Sequence, residues 1–191
     1  MISNAFPASF HAPAGDQTDN SSILFAGRLI KLKNLVRVLE AIKDIDQAKM
    51  TIVGDGPEKD HLIETVERLD MVGRVHFKKR MPLKDLAKEI SSSHFTIIPS
   101  VSEVSPNIAL ESIRLNKPVL LTKESGFYTE FKDQLMFINP LDINDIQNKI
   151  VTMFDEDKYK QYLTVIKSID SQRGWQDLSV EHVDLFKKIL S

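Results

Sequence analysis

Residues 22–57, SILFAGRLIKLKNLVRVLEAIKDIDQAKMTIVGDGP, contain two short apolar runs and a segment with helical spacing between them. The runs occupy residues 23–26 and 50–53, contain β-branched or aromatic residues, and are each followed by glycine, as is typical of buried strands. The segment between them has one apolar helical face, formed by Leu35, Val38, Leu39 and Ile42. A strand, a helix and a second strand joined this closely predict a right-handed crossover between parallel strands.

The same alternation continues along the rest of the chain. Four further apolar runs predict strands at residues 75–77, 95–98, 119–121 and 136–138. Helical spacing returns between runs, with apolar positions at Leu62, Val66, Leu69, Leu86 and Ile90. Beyond the sixth strand, three candidate helices occupy residues 142–155, 158–168 and 175–190. The pattern predicts an α/β fold, a doubly wound six-stranded parallel sheet of the Rossmann-like type with a helical C-terminal tail.

The composition is that of one globular domain. With 42% hydrophobic and 27% charged residues among 191, the chain has the character of neither a disordered nor a membrane-embedded protein. Its 25 basic and 27 acidic side chains leave a net charge of −2, so no overall field attracts nucleic acid and any anion site must be local. The absence of cysteine excludes disulfides, thiolate metal sites and cysteine nucleophiles.

The N-terminal segment differs from the rest. Residues 1–21 contain Pro7, Pro13 and most of a polar run at residues 16–22, which favours loops and offers little to bury. We interpret residues 1–21 as a linker leading in from a missing N-terminal domain, and residues 22–191 as the folded domain. No stretch has the roughly 20 apolar residues of a membrane-spanning helix, and the N-terminus lacks the features of a signal peptide. The expected location is the cytoplasm, with any membrane contact made peripherally through the missing domain.

The predicted topology places two loops side by side. In the common strand order 3-2-1-4-5-6, strands 1 and 4 are neighbours, and ligands bind above their carboxyl ends. The first strand ends at Gly27, and Arg28 and Lys33 follow it. The fourth strand is followed by the loop at residues 101–107. We therefore expect two cations and the start of the next helix to face one crevice.

The loop after the fourth strand has features of an anion site. Ser105 before Pro106 predicts an N-cap followed by proline at the first helical position, so that a helix begins here and covers residues 106–115. Free backbone N–H groups and the positive end of the helix dipole then face the crevice. With Arg28 and Lys33 nearby, the ligand is predicted to carry concentrated negative charge, such as a diphosphate.

Two glutamates accompany this helix. Glu103 precedes it in the loop, and Glu111 shares its apolar face. A carboxylate on an apolar face usually has a buried partner or a ligand, and carboxylates accept hydrogen bonds from paired sugar hydroxyls. The simpler alternatives are that Glu111 pairs with Arg114 or Lys117 on the surface, that the two cations are merely solvated, and that the serine–proline pair only stabilises the helix.

Other site motifs are missing. Residues 54–56, GDG, follow the second strand, and Lys59 stands where a dinucleotide-binding fingerprint has its third glycine. These residues also fit a simple turn from strand to helix. There is no P-loop sequence, and the five histidines are too scattered for metal-ligand spacing, so we expect no metal site.

The ordered motifs resemble one known family. They are residues 23–28 (ILFAGR) with Lys33 and Asn34, residues 52–57 (IVGDGP), residues 75–77 (VHF), residues 99–111 (PSVSEVSPNIALE), residues 117–119 (KPV), and Trp175. The fourth of these carries two glutamates separated by seven residues. In this order and spacing, the chain resembles the C-terminal, nucleotide-sugar-binding domain of the GT-B retaining glycosyltransferases of family 4, the glycosyl transferases group 1. The resemblance extends from about residue 23 to residue 186.

The resemblance implies a role for each matching residue. Arg28 and Lys33 hold the donor diphosphate in place of a metal ion and stabilise the charge of the leaving group. Glu103 lies near the donor sugar hydroxyls, and these three are the implied catalytic residues. Glu111 accepts hydrogen bonds from the ribose hydroxyls. The remaining implied donor-binding residues are Gly27, Gly54, Asn107, Ile108, Arg80 and Met81, the last two near the base.

The implied function is donor binding in a metal-independent retaining glycosyltransferase, a hexosyltransferase of glycan or glycolipid synthesis that uses a UDP- or GDP-sugar. No cofactor is expected besides this donor, and a glycan or lipid-linked acceptor is bound through the missing N-terminal domain, so the isolated domain is expected to be inactive. Val104 and Lys79 stand where the family often has glycine and are expected to narrow the sugar and base pockets. The alternatives are a stand-alone, non-catalytic nucleotide or phosphosugar-binding module, a degenerate partner subunit, and a structural α/β interaction domain.

Overall fold

The computed structural model describes residues 18–169, residue 171 and residues 175–190, and its centre is one parallel sheet. The sheet has six strands in the order β3-β2-β1-β4-β5-β6. The strands are β1 (Asp19–Ala26), β2 (Lys49–Val53), β3 (Val75–Lys78), β4 (Ser93–Ile98), β5 (Val119–Thr122) and β6 (Met136–Ile138). All the pairings are parallel. This order confirms the predicted doubly wound sheet, with β1 and β4 adjacent at its centre.

Helices connect the strands and cover both faces of the sheet. They are α1 (Leu35–Ile42), α2 (Lys59–Arg68), α3 (Leu83–Ser92), α4 (Asn107–Arg114), α5 (Tyr128–Phe131), α6 (Ile143–Phe154), α7 (Glu156–Ser168) and α8 (Trp175–Leu190). A short 3-10 turn, Lys31–Lys33, precedes α1. Side chains alternate along β1, so Ile23 and Phe25 join the main core with α1 and α6, while Leu24 joins a smaller core with α3. Both faces are therefore apolar, as the strand sequences predict.

The strand register sets the geometry of the carboxyl edge. Ala26 pairs with Val53, so Gly27 and Gly54 leave the sheet side by side. The backbone N–H of Gly27 donates to the Val53 carbonyl at 3.0 Å, and that of Gly54 donates to the Lys78 carbonyl at 2.9 Å. The ends of β1, β2 and β3 are thus hydrogen-bonded to one another where the loops begin.

The first strand begins earlier than the sequence indicates. β1 starts at Asp19, so the expected division at residue 22 lies inside the strand, and residues 1–17 of the predicted linker lie outside the described residues. Asp19 pairs with Ser93 of β4. Backbone pairing needs no apolar side chain, which is why the exposed, polar start of β1 has no strand signal in the sequence.

The helical tail matches the prediction closely. Helices α6, α7 and α8 coincide with the three candidates to within two residues, and α8 begins at Trp175. The Asp142 side chain caps α6 by accepting from the backbone N–H of Asn144 and Asp145 at 2.9 and 3.2 Å. Within the described part of the chain, no helix has the length and apolar character needed to cross a membrane.

Candidate functional site

A cavity of about 890 Å³ opens at the carboxyl edge of the sheet. Its size is that of a small-molecule site. The ten residues predicted to act in catalysis or donor binding all line this cavity: Gly27, Arg28, Lys33, Gly54, Arg80, Met81, Glu103, Asn107, Ile108 and Glu111. Val104 and Lys79, which were expected to narrow the sugar and base pockets, do not line it. The parallel sheet thereby brings together residues that are up to 84 positions apart (27 to 111). The role of each residue stays a prediction.

Two glycines form the inner end of the cavity where β1 and β2 finish. Gly54 has a φ of +150°, and a Cβ on it would lie 1.9 Å from the carbonyl oxygen of Gly27. No side chain fits between these two backbones, so only glycine allows the strand ends to approach this closely. The simple-turn interpretation of residues 54–56 is therefore compatible with the structure, and the same glycines also leave room for a ligand beside the backbone.

The two arginines of the cavity are exposed. Neither Arg28 nor Arg80 has a side-chain hydrogen bond or ion pair to any other residue that the structure describes. They come from different loops, the first after β1 and the second after β3. Their guanidinium groups keep all five donors for a ligand.

Lys33 and Glu103 form an ion pair across the cavity wall. The Lys33 Nζ donates to Glu103 Oε2, and the Ser100 hydroxyl donates to the same oxygen at 3.2 Å. The side chains of Lys33 and Glu103 are 20% and 17% exposed. The structure thus places the predicted cation and the predicted carboxylate in direct contact, so part of the Lys33 charge is already balanced.

Glu111 has no cationic partner among the residues that the structure describes. It lines the cavity at 9% exposure, and no hydrogen bond or ion pair connects its carboxylate to the described residues. Arg114 donates to the Ser171 carbonyl, and Lys117 donates to the Ser93 carbonyl at 2.9 Å. The alternative of a surface ion pair is therefore wrong. Burial raises the pKa of the Glu111 carboxyl above its ordinary value, as expected for a carboxylate with no compensating charge.

The start of α4 differs from the prediction. The helix begins at Asn107 with Pro106 as its N-cap, and no side chain caps it. Pro106 has a ψ of 90°, which turns the chain before the helix and leaves Ser105 one residue too early to bond the first turn. The predicted capping role of Ser105 is therefore wrong. The backbone N–H groups of Asn107 and Ile108 have no backbone acceptor among the described residues, as the anion-site prediction requires.

Four further residues of the lining were not predicted from the sequence to bind a ligand. Asp55, Pro82, Leu83 and Leu86 also face the cavity, and they extend the wall that begins at Arg80 and Met81. Leu83 is 54% exposed and adds an apolar side chain to the lining. Its place at the end of the connection from β3 to α3, at the carboxyl edge of the sheet, is the signal that could have identified it.

No metal site is evident in the described residues. They include no group of three or more histidine, cysteine, aspartate or glutamate side chains that could hold a metal ion. His94, the one buried histidine in this part of the chain, has its ring stacked on Tyr159 at 4.0 Å and its Nε2 hydrogen-bonded to the Met153 carbonyl at 2.8 Å. Burial lowers its pKa, which favours the neutral ring. His94 packs at the start of β4, at the end of the strand opposite the cavity.

The chain has relatives among known proteins. The sequence model of the family described as "Glycosyl transferases group 1" matches residues 9–166. An uncharacterized glycosyltransferase of Methanocaldococcus jannaschii, MJ1607, is 25% identical over 186 residues, which are 94% of this chain and 48% of that protein. The alpha-monoglucosyldiacylglycerol synthase of Streptococcus pneumoniae is 29% identical over 110 residues, 56% of this chain and 25% of that protein. The chain spans about half the length of MJ1607.

Solved structures share the fold. HepE of Anabaena, crystallised in complex with UDP, has a TM-score of 0.79 at 19% identity, over 89% of this chain and 49% of that one. Sucrose-phosphate synthase of Thermosynechococcus elongatus has a TM-score of 0.77 at 19% identity, over 93% of this chain and 46% of that one. The agreement confirms the predicted Rossmann-like architecture.

Proposed function

The chain belongs to the glycosyl transferases group 1 family, and we propose that it is the donor-binding domain of a metal-independent retaining glycosyltransferase whose acceptor is bound by a further, N-terminal domain. One observation carries the proposal. One cavity at the carboxyl ends of β1 and β4 is lined by Arg28, Lys33, the uncapped start of α4 and the buried Glu111, which has no partner in the described part of the chain. Four groups of this chemistry fit a ligand with a diphosphate at one position and hydroxyls at another.

The proposed donor is a nucleoside diphosphate sugar. Arg28, Lys33 and the N–H groups of Asn107 and Ile108 bind the diphosphate, and Glu111 accepts hydrogen bonds from the ribose hydroxyls. The wall from Arg80 to Leu83 contacts the base. UDP is the nucleotide to test first, because HepE was crystallised with UDP and with UDP-glucose and has the same fold.

In the proposed reaction the bond between the anomeric carbon and the diphosphate oxygen breaks, and its electron pair goes to the diphosphate. Arg28 and Lys33 stabilise the charge that develops there, which is the role a metal ion has in other enzymes. Glu103 contacts the donor sugar and keeps Lys33 in place. The acceptor hydroxyl, presented by the other domain, forms the new bond from its oxygen to the anomeric carbon on the same face, and its proton goes to the departing diphosphate.

The product class is part of the proposal. A relative named for lipopolysaccharide core biosynthesis and another named alpha-monoglucosyldiacylglycerol synthase support a hexosyl transfer to a glycan or a lipid-linked acceptor. A cytoplasmic location and the inactivity of the isolated domain stay predictions.

Calorimetric titration of the chain with UDP, GDP and ADP, in buffer containing EDTA, tests the proposal. We expect one nucleotide to bind without added metal, and Arg28→Ala to weaken it at least tenfold, because a charge-assisted hydrogen bond contributes about 1.5–3 kcal/mol. Lys31→Ala is the matched control, since Lys31 is an exposed cation of the same loop that does not line the cavity. Failure of all three nucleotides to bind, or an equal loss in both variants, contradicts the proposal.

A further inference from the structure

Asn34 lies next to Lys33, in the short connection between the 3-10 turn and α1. Its backbone is left-handed, with φ 57° and ψ 30°, and the residue is 8% exposed. It does not line the cavity. It occupies the N-cap position of α1, yet its side chain makes no cap hydrogen bond. The side chain therefore has some other role than starting the helix.

Both groups of this amide are hydrogen-bonded, and the two bonds from its amino group run between loops. The Asn34 Nδ2 donates to the carbonyl of Pro99 at 3.1 Å and to the carbonyl of Pro140 at 2.7 Å. Its Oδ1 accepts from Arg37 Nη1 at 2.9 Å. The amide orientation follows from these partners, because the opposite one would place the oxygen against two carbonyls and the amino group against a guanidinium.

These bonds join the two loops that carry the Lys33–Glu103 pair. Pro99 precedes the loop of Glu103, and one further bond nearby, from the Val101 N–H to the Leu32 carbonyl at 2.9 Å, joins the same two loops. Lys33 thus lies between two residues that are hydrogen-bonded to the end of β4. The third partner, Pro140, follows β6, so Asn34 connects three strand ends.

We propose that Asn34 is a positioning residue for donor binding: its amide fixes the loop of Lys33 to the loop of Glu103, so that the Lys33 ammonium is held where the diphosphate binds. The expected effect of Asn34 on nucleotide affinity rests on the proposed function. The effect of Asn34 on the two loops does not depend on that function. Buried hydrogen bonds that satisfy every group of an amide are costly to break, so the arrangement is rigid before the ligand arrives.

The left-handed backbone alone does not explain an asparagine here. Glycine adopts this conformation more readily. Asn116 has nearly the same φ, 54°, but its side chain is exposed. Asn34→Gly and Asn116→Gly are therefore a matched pair, because each keeps a left-handed residue and only the first removes bonds between loops. Two further variants disturb these bonds to different degrees. Asn34→Asp replaces the amino group that donates to the two carbonyls by an acceptor. Arg37→Ala removes only the bond to Oδ1.

The first measurement is hydrogen exchange of the Val101 amide in the ligand-free chain. We expect exchange at least tenfold faster in Asn34→Gly than in the wild type and in Asn116→Gly, with an intermediate rate in Arg37→Ala and unchanged rates in the central amides of β1 and β4. Unchanged exchange at Val101 in Asn34→Gly overturns the inference. A uniform rise over the whole domain also overturns it, since that is the signature of a general loss of stability.

The second measurement is the affinity for UDP and for uridine. Asn34→Gly is expected to raise the Kd for UDP about tenfold and to leave the Kd for uridine within twofold, because Lys33 is assigned to the diphosphate. In the background of Lys33→Ala the same change should cost less than threefold, since coupled residues are not additive. Full additivity, or equal losses for UDP and uridine, overturns the inference. A wild-type chain that binds neither ligand contradicts the proposed function instead, and the exchange experiment then decides the positioning role by itself.

Discussion

At the scale of single residues, Glu111 is a side chain whose environment disfavours its charged form in the folded chain. It is buried and lacks a cationic partner among the described residues, and its pKa is raised by desolvation alone. Natural sequences keep such groups where a ligand uses them. Lys33 and Glu103, in contrast, neutralise each other in the ligand-free site.

Replacing Glu111 by glutamine should increase the stability of the chain at neutral pH. Because the folded-state pKa is raised, the folded chain holds this proton to higher pH than the unfolded chain does, so stability falls as pH rises from the unfolded value of 4.5 through the folded value. Glu111→Gln removes that loss. We expect a gain of about 0.5–2 kcal/mol at pH 7.5 and almost none at pH 4, measured by urea unfolding.

The control for this prediction is Glu64→Gln, an exposed position on α2 where the change should stay within about 0.5 kcal/mol at both pH values. Equal stability of Glu111→Gln and the wild type at pH 7.5 would show that the carboxylate is compensated. The same variant should bind UDP at least tenfold more weakly, because glutamine accepts fewer hydroxyl hydrogen bonds than a carboxylate.

The sequence was sufficient to predict which residues form the candidate site and at which edge of the sheet they lie. It was not sufficient to predict the contacts between their side chains. The predicted topology was enough to bring Arg28 and Glu111 to one cavity. The Lys33–Glu103 pair joins residues 70 positions apart, and it depends on the exact paths of two loops. The capping role of Ser105 failed for the same reason, since the ψ of Pro106 shifts the helix start by one residue.

At the scale of elements, the close approach of the ends of β1 and β2 requires glycine at position 54. Gly54→Ala would place a Cβ 1.9 Å from the Gly27 carbonyl oxygen, so we expect it to destabilise the chain by about 3 kcal/mol or more in urea unfolding. Gly73 is the control: it has a φ of +90°, but a Cβ on it would have no atom within 4 Å, and Gly73→Ala should cost only about 1–2 kcal/mol. Similar costs at both positions would mean that backbone conformation, not contact, is decisive.

The helix starts give a second prediction at this scale. Asp142 caps α6 through two backbone N–H groups, so Asp142→Ala should cost about 1 kcal/mol. Ser105 makes no cap bond, and Ser105→Ala should change stability by less than about 0.5 kcal/mol. Thermal unfolding of the two variants checks both values, and a comparable loss for Ser105→Ala would restore the capping role that the sequence suggested.

Strands and long helices were predictable because their periods appear directly in the sequence. Four apolar residues of α1 have the spacing that its burial confirms. The start of β1 and the four-residue helix α5 were not predictable. A polar strand end pairs only through its backbone, and a single helical turn is too short to show a period.

At the scale of the whole molecule, the proposed donor site predicts the stability of the isolated chain with UDP and its activity without an acceptor domain. UDP at 100 times its Kd should add about 2.7 kcal/mol to the stability, which appears as a rise in Tm that EDTA does not change. The chain alone should transfer no sugar from UDP-glucose to a lipid or glycan acceptor, whereas a longer protein that includes the acceptor domain should. Binding without transfer in the longer protein would identify a non-catalytic module.

Residues after Glu111 supply main-chain atoms to the hydrogen bonds that hold the loops of Asn34 and Glu103. Asn34 donates to the carbonyl of Pro140, and Glu103 exchanges backbone bonds with Glu124 and Gly126 at 2.9 Å. Every amino acid supplies a carbonyl, and every one except proline an N–H, so most substitutions there leave the bonds in place as long as the chain keeps its path. Gly126 is the exception, because a Cβ on it would lie 2.2 Å from the Val104 carbonyl oxygen. The residues that line the cavity all lie between Phe25 and Glu111. Most substitutions after Glu111 should therefore affect ligand binding only through packing and the path of the main chain.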